Sequence, residues 1–274
     1  MIRSNLFWSL VGALALTFNL GCASEPGSMG DETLGQEALA RPPGKKPTVV
    51  LVHGAWADAL GWQDVIGRLQ HDGYPVRAVE IPLSSLALDV ETTKRALDAA
   101  GAAGPLVVVA HSFGGAVITE AAAGNANVKA LVYLNAFAPD VGENLLEVAS
   151  KFPLTPAFDA FVPDSAGFVT LDPSAFQDVF CADLSDREAA ILAAAQKPLA
   201  VSSFTAPFTA AAWREVPSWY LIGKQDRTVN PDLQRFFASR MQATVSEIDS
   251  SHLSLVSHPG VVVRLIKQAA ATVR

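Results

Sequence analysis

Short apolar segments alternate along this chain with longer segments whose apolar residues recur every three or four positions. Six segments rich in β-branched residues lie at 48–53, 75–81, 106–110, 128–134, 218–222 and 243–248. Segments with helical spacing lie at 62–73, 89–101, 114–124, 232–241 and 260–272, with Asp89 as a predicted N-cap. Strands that read as nearly continuous apolar runs are typical of parallel sheets. The pattern therefore predicts an α/β fold, a mostly parallel sheet with helices on both faces.

One long segment, about 139–214, interrupts this alternation. It lacks a run typical of a buried strand, contains six prolines between Pro153 and Pro207, and has one predicted helix, Ser185–Gln196. It also holds eight phenylalanines, most of which we expect to pack within it or against the sheet. An insert of this length is too long for an ordinary connection. We expect a cap above the C-terminal edge of the sheet, where open α/β sheets bind ligands.

The N-terminus has the pattern of an export signal. Arg3 precedes a mostly apolar run at 6–20, shorter than the ~20 residues of a spanning helix. Residues 1–23 are thus predicted to be a signal peptide cleaved after Ala23. Alternatively, Leu20-Gly21-Cys22 resembles a bacterial lipobox with Cys22 lipidated, although Asn19 stands where such motifs carry Leu. A retained anchor helix is a third alternative.

The sequence is predicted to have three regions: the signal peptide, a flexible linker at 24–46 and a catalytic domain at 47–274. The linker is rich in Gly, Pro, Glu and Ser and lacks apolar periodicity. We therefore expect an exported protein, periplasmic or secreted, either soluble or attached to a membrane through Cys22. Oligomeric state is left open.

Composition excludes several classes of protein. The 274 residues are 50% hydrophobic and 17% charged, which excludes an intrinsically disordered chain. A net charge of −7 without basic clusters disfavours nucleic-acid binding. Two cysteines are too few for a disulfide scaffold or a four-cysteine zinc site. We expect no metal and no organic cofactor.

The sequence Ala110-His111-Ser112-Phe113-Gly114 lies directly between a predicted buried strand and a predicted helix. This context is typical of a nucleophile elbow, a sharp turn that exposes a serine hydroxyl. The helix N-terminus beneath the serine favours developing negative charge. Ser112 is the candidate nucleophile; the structural alternative is a serine N-cap on a glycine-rich turn.

The sequence His53-Gly54-Ala55-Trp56 follows the first predicted strand. We predict an oxyanion hole from the backbone N–H groups of Ala55 and Phe113. The Trp56 and Phe113 side chains are candidate substrate-binding groups, although Trp56 could instead pack beneath the cap. His53 is predicted to have a structural role.

A serine nucleophile needs a histidine base and a carboxylate that orients it. Asp226 follows the fifth predicted strand and His252 the sixth, and the order Ser112, Asp226, His252 is the one that accompanies a nucleophile elbow. Asp140 is the alternative acid. His258 is the alternative base, although a position before the last helix suits a capping role.

These motifs carry a resemblance to the α/β-hydrolase superfamily, and within it to small bacterial carboxylesterase-like proteins related to plant methylesterases and hydroxynitrile lyases. The matching segments are VLVHGAW (50–56), VVVAHSFGG (107–115), LVYLNAFAPD (131–140), WYLIGKQDRTVNP (219–231) and SSHLSLVSHP (250–259). The resemblance implies an eight-stranded, mostly parallel sheet with a helical cap. It also implies Ser112 as nucleophile, Asp226 as acid and His252 as base.

The resemblance implies a serine hydrolase that cleaves carboxylic esters through an acyl-enzyme, and it leaves the substrate open. The aromatic side chains expected near Ser112 and in the cap, together with the few basic residues of the cap, favour small to medium apolar or aromatic substrates. A small-molecule ester is the expected partner. The alternative is a non-hydrolytic protein of this fold, either a lyase or a ligand-binding module. The lyases of this group carry a lysine beside the catalytic histidine, whereas Leu253 stands there in this chain.

Overall fold

The computed structural model describes residues 45–273. The predicted signal peptide, Cys22 and all but the last two residues of the predicted linker lie outside this range. None of the helices in residues 45–273 is long and apolar enough to cross a membrane.

A parallel sheet forms the centre of the fold, and its six strands are the six that the sequence predicts. The strands are β1 (Thr48–Val52), β2 (Val76–Val79), β3 (Leu106–His111), β4 (Val128–Leu134), β8 (Ser218–Gly223) and β9 (Thr244–Ile248), in the order β2-β1-β3-β4-β8-β9. Every neighbouring pair is parallel. All six residues of β3 are buried, which explains its continuous apolar run.

The strand count differs from the eight that the resemblance implies. The sheet has six strands within the described residues, and the other three strands in that range belong to the cap. The edge strand β9 has no buried residue, which fits its alternating sequence at the end of the sheet.

Helices connect the strands and pack in two pairs, α1 against α9 and α2 against α3. The helices of the body are α1 (Gln63–His71), α2 (Leu86–Gly101), α3 (Phe113–Ala121), α7 (Pro231–Arg240), α8 (Ser254–Ser257) and α9 (Pro259–Ala271). Apolar residues at helical spacing account for the predicted helices, while the four-residue α8 is too short to show a period.

The predicted N-cap of α2 is wrong. Ser85 caps the helix, because its hydroxyl accepts the Leu88 N–H at 3.2 Å. Asp89 lies one turn inside the helix, fully buried, and accepts the Leu83 N–H at 2.7 Å. Burial raises the pKa of the Asp89 carboxyl to about 6.

The long insert forms a cap, but it is not purely helical. Its helices are α4 (Leu145–Ala149), α5 (Phe176–Phe180) and α6 (Asp186–Ala195), and its strands β5 (Phe161–Pro163), β6 (Phe168–Leu171) and β7 (Leu199–Ala200) form an antiparallel sheet. Strands of two to four residues are too short to show a period, which is why the sequence did not reveal them. The predicted helix at Ser185–Gln196 is confirmed as α6, with a capping box between Ser185 and Glu188.

Candidate active site

Ser112 occupies a strained turn between β3 and α3. Its backbone has φ 54° and ψ −126°, in the left-handed region that a non-glycine residue rarely adopts. The turn is closely packed, since a Cβ on Gly54 would lie 2.7 Å from the Ser112 Cβ, and one on Gly114 would lie 2.4 Å from the His53 carbonyl oxygen. Both glycines are therefore required by close approach of the backbone. The geometry is that of the predicted nucleophile elbow.

A chain of hydrogen bonds connects the three predicted triad residues. The His252 Nε2 lies 2.8 Å from the Ser112 Oγ, and the His252 Nδ1 lies 2.8 Å from the Asp226 Oδ2. All three side chains are buried. They come together because β3, β8 and β9 are parallel, so that the loops after their carboxyl ends meet at one edge of the sheet.

Asp226 is held by more groups than the sequence indicates. Its Oδ1 accepts the backbone N–H groups of Thr228 and Val229 at 2.8 and 2.9 Å. Its Oδ2 accepts the side-chain amides of Asn135 at 3.1 Å and Gln234 at 2.8 Å, in addition to the His252 ring. With every lone-pair direction occupied, the carboxylate is fixed in one orientation.

His111 contacts both the backbone and the ring of the candidate base, His252. Its Nε2 donates to the His252 backbone carbonyl at 2.9 Å, and the two imidazole rings lie 4.6 Å apart. Complete burial holds the pKa of His111 well below its usual range, so the ring is neutral. A neutral ring supplies this hydrogen bond without placing a positive charge beside His252.

The alternative acid, Asp140, and the alternative base, His258, interact with other groups. Asp140 forms a bidentate ion pair with Arg214, with both N···O distances 2.8 Å; although burial opposes it, the guanidinium keeps the pKa of Asp140 below its usual range. His258 precedes α9, and its Nδ1 lies 2.8 Å from the Ser257 Oγ. His258 is the N-cap residue of α9, as expected, and its carbonyl accepts the Val262 N–H at 3.2 Å, whereas its ring makes no capping hydrogen bond.

His53 has the structural environment that the sequence predicts. Its Nδ1 donates to the Gly54 carbonyl at 2.8 Å, and its Nε2 accepts the Ile81 N–H at 3.1 Å. Both ring nitrogens are thereby engaged, and the ring fixes the loop that carries Ala55.

Ala55 and Phe113, the residues predicted to form an oxyanion hole, lie at the same cavity as the candidate nucleophile. Both residues are buried, and both line the same cavity as Ser112. Within residues 45–273, neither backbone N–H has a hydrogen-bond acceptor. Two N–H groups without a protein acceptor at one cavity remain candidates to bind a negatively charged oxygen.

A cavity of about 350 Å³ opens above Ser112 between the body and the cap. Its lining is almost entirely apolar and consists of Ala55, Trp56, Ser112, Phe113, Phe137, Leu145, Leu146, Ala149, Phe158, Phe161, Pro163, Val169, Val201, Phe204, Thr205 and Thr228. The two threonine hydroxyls donate to backbone carbonyls of the protein. Three of the cap phenylalanines thus line the cavity, whereas Phe176, Phe180 and Phe208 are buried in the packing.

Trp56 lies at the cavity and also packs beneath the cap, so both alternatives from the sequence are compatible with its position. Its side chain lines the cavity, yet its Nε1 also donates to the Val169 carbonyl of β6 at 3.0 Å. Its ring packs against Phe161 and Phe180, with centroids 5.5 and 5.9 Å away. Trp56 therefore joins the loop of Ala55 to the cap.

The described residues contain no group of three or more His, Cys, Asp or Glu side chains arranged to hold a metal ion. The chemistry that the site can perform with its own residues is nucleophilic attack by Ser112.

A family model and a curated relative both match most of this chain. Residues 49–265 match the model of the alpha/beta hydrolase family. The chain is 29% identical over 246 residues to the alpha/beta hydrolase nvfD of Aspergillus novofumigatus, covering 82% of this chain and 97% of the relative.

Solved structures share the fold. A pyrethroid hydrolase from Sphingobium faniae superimposes with a TM-score of 0.69 at 20% identity, covering 82% of this chain and 98% of that one. A methylesterase from Arabidopsis superimposes with a TM-score of 0.67 at 17% identity, covering 82% and 99%. The family match extends over more than half of the sequence and includes all but the first residue of β1, the elbow and both loops that carry Asp226 and His252. This chain belongs to the alpha/beta hydrolase family.

Proposed function

We propose that this protein is a serine hydrolase that cleaves carboxylic esters through an acyl-enzyme on Ser112. The observation that carries the proposal is the hydrogen-bonded chain Ser112–His252–Asp226, whose Ser112 lines an apolar cavity. A serine hydroxyl is a weak nucleophile until a base removes its proton. The 2.8 Å contact places the His252 Nε2 where it can do so.

The proposed reaction has two halves. The Ser112 Oγ attacks the ester carbonyl as its proton passes to the His252 Nε2, and the Ala55 and Phe113 N–H groups bind the resulting oxyanion. Asp226 holds His252 in the tautomer that has its proton on Nδ1 and stabilises the imidazolium. The alcohol leaves with the proton from Nε2. Water then repeats these steps on the acyl-enzyme and releases the acid.

The cavity favours apolar acyl and alcohol groups. No charged side chain lines it, and its threonine hydroxyls are engaged with the protein. Apolar surface that enters the cavity is stabilised by about 25 cal/mol per Å². We therefore propose small to medium apolar or aromatic esters as substrates; the pyrethroid hydrolase and the methylesterase that share the fold support an ester of this class.

Kinetics with a panel of esters tests the proposal. Wild-type protein should hydrolyse apolar and aromatic esters faster than dicarboxylate or sugar-phosphate esters. Ser112→Ala should lower kcat by more than ~10³-fold, since residues of a triad act as a unit. Retention of a tenth of the wild-type rate by clean Ser112→Ala protein would overturn the assignment of the nucleophile. A preference for charged esters would overturn the proposed substrate class.

We also propose that the protein is exported by the signal in residues 1–23. The support is the sequence pattern alone, and the two alternatives at Cys22 predict different mature N-termini.

A further inference from the structure

One segment of the cap contacts both loops that carry the base and the acid. The Phe180 ring, at the end of α5, lies 5.0 Å from the His252 ring. The neighbouring Val179 carbonyl accepts the Thr228 hydroxyl at 2.7 Å. Thr228 in turn donates its N–H to Asp226. The cap is therefore joined to the triad as well as covering the cavity.

The turn after α5 makes the most direct of these contacts. Asp183 accepts the Ser251 backbone N–H through Oδ2 at 3.1 Å, and it accepts the Ser251 hydroxyl through Oδ1. The side chain of Asp183 is about one-fifth exposed, and the His258 Nδ1 lies 3.8 Å from it. Sixty-eight residues separate Asp183 from Ser251, so this contact is tertiary.

Ser251 immediately precedes His252, and both the N–H and the carbonyl of Ser251 form hydrogen bonds to side chains. Asp183 binds its N–H and hydroxyl, while Asn135 donates a side-chain N–H to its carbonyl at 3.3 Å. The Ser251 backbone that leads into His252 is thus fixed by one group from the cap and one from the end of β4, in addition to the hydrogen bond of His111 to the His252 carbonyl. A hydrogen bond to a carboxylate is stronger than one between neutral groups, so Asp183 is the stronger of the two restraints.

We infer that Asp183 is a positioning residue for the reaction: through Ser251 it fixes the base His252, so that the cap contributes to catalysis as well as to substrate binding. This inference rests on the proposed function. The expected consequence of losing the restraint is a His252 ring that samples positions away from the Ser112 hydroxyl. A displacement of about 1 Å at a catalytic group can cost on the order of 10²-fold in rate.

The chain offers a closely matched control. Asp172, also in the cap, accepts both the N–H and the hydroxyl of Ser174 through its Oδ1, at 2.8 and 2.7 Å. The same chemical pairing thus occurs twice, once beside His252 and once on a cap turn. Asp183→Ala and Asp183→Asn should be compared with Asp172→Ala and Asp172→Asn. Each variant is measured for kcat and KM on an apolar ester, for the rate of labelling by an organophosphate, and for Tm, with rates normalised to titrated active sites.

Asp183→Ala should lower kcat and the labelling rate by about 10–100-fold while KM changes less than about twofold. Asp183→Asn should lie between Asp183→Ala and wild type, because the amide oxygen keeps one acceptor. Both Asp172 variants should keep wild-type kinetics. In the Asp183→Ala background, Ser251→Ala should add little, since the two residues act through one contact.

Two outcomes would overturn the inference. One is a wild-type kcat in Asp183→Ala; the other is a loss that disappears after normalisation to titrated active sites, which indicates a structural role. If Asp183→Ala does not fold, Asp183→Asn and Ser251→Ala carry the test with the same criteria. A wild-type protein that neither hydrolyses esters nor reacts with the organophosphate would instead refute the proposed function.

Discussion

Replacement of Asp226 by asparagine tests the assignment of the acid. Its effect on activity and stability follows from the five hydrogen bonds that the carboxylate accepts. If the asparagine oxygen keeps the Thr228 and Val229 N–H groups, its NH2 faces three donors: the Asn135 amide, the Gln234 amide and the His252 Nδ1. Neither amide can turn freely, because the Asn135 oxygen accepts the Ser254 hydroxyl and the Gln234 oxygen accepts the Gly223 N–H.

The adjustment that costs the least free energy is a change in the tautomer of His252. His252 can place its proton on Nε2 and use Nδ1 to accept from the new NH2. That tautomer cannot take a proton from Ser112, and loss of the correct tautomer lowers kcat by about 10⁴-fold in a comparable triad. The donors left without an acceptor should also lower the free energy of unfolding by about 1–3 kcal/mol. We expect a folded protein with very low activity.

The assay compares kcat of Asp226→Asn and Asp140→Asn on one apolar ester, with urea denaturation of both. Asp140→Asn breaks an ion pair with Arg214 at the surface and should leave kcat within about threefold of wild type. The reverse ranking, with Asp140→Asn inactive and Asp226→Asn active, would refute the assignment.

Three further predictions follow from other parts of the molecule. Trp56→Ala should change the preferred acyl length of the substrate and lower Tm, because the ring lines the cavity and also binds β6; an unchanged preference would contradict its role in the cavity. Asp89→Asn should become more stable relative to wild type by about 1–2 kcal/mol as pH rises from 4 to 7, since the raised pKa of about 6 makes the wild-type native state favour the protonated form. The stability contributed by that proton is complete below pH ~4 and is lost as pH rises through 6, so urea denaturation at both pH values should show this change in the difference between the two proteins, and a constant difference would contradict the reasoning. Mass spectrometry of the mature N-terminus should find either an unmodified Ser24 or a lipidated Cys22; an intact residue 1 would contradict export by cleavage.

The sequence predicts the central sheet and the positions of Ser112, Asp226 and His252 for one physical reason. Ser112 and Asp226 follow strands with a clear apolar run, His252 follows the alternating edge strand β9, and parallel strands bring the loops at their carboxyl ends together. Local spacing and chain order were therefore sufficient for these three.

The supporting residues could not be predicted in the same way. Asn135 contacts Asp226 across 91 positions of the chain, and Asp183 contacts Ser251 across 68. Contacts between residues so far apart in the chain produce no local pattern in the sequence. Asn135 gives one signal, a polar residue directly after the apolar β4, and its left-handed φ of 49° marks it in the structure. The strands of the cap could not be predicted either, because segments of two to four residues are too short to show an alternation of apolar and polar positions.

Mapping of a covalent adduct tests the central claim most directly. The protein is incubated with a serine-directed organophosphate, digested, and analysed by peptide mass spectrometry, with Ser112→Ala treated in parallel. The account predicts one adduct, on Ser112 in the peptide that contains His111 and Phe113, with loss of ester hydrolysis in proportion to labelling and no adduct on the variant. An adduct on another residue that abolishes activity, or full activity in a protein labelled at Ser112, would contradict it.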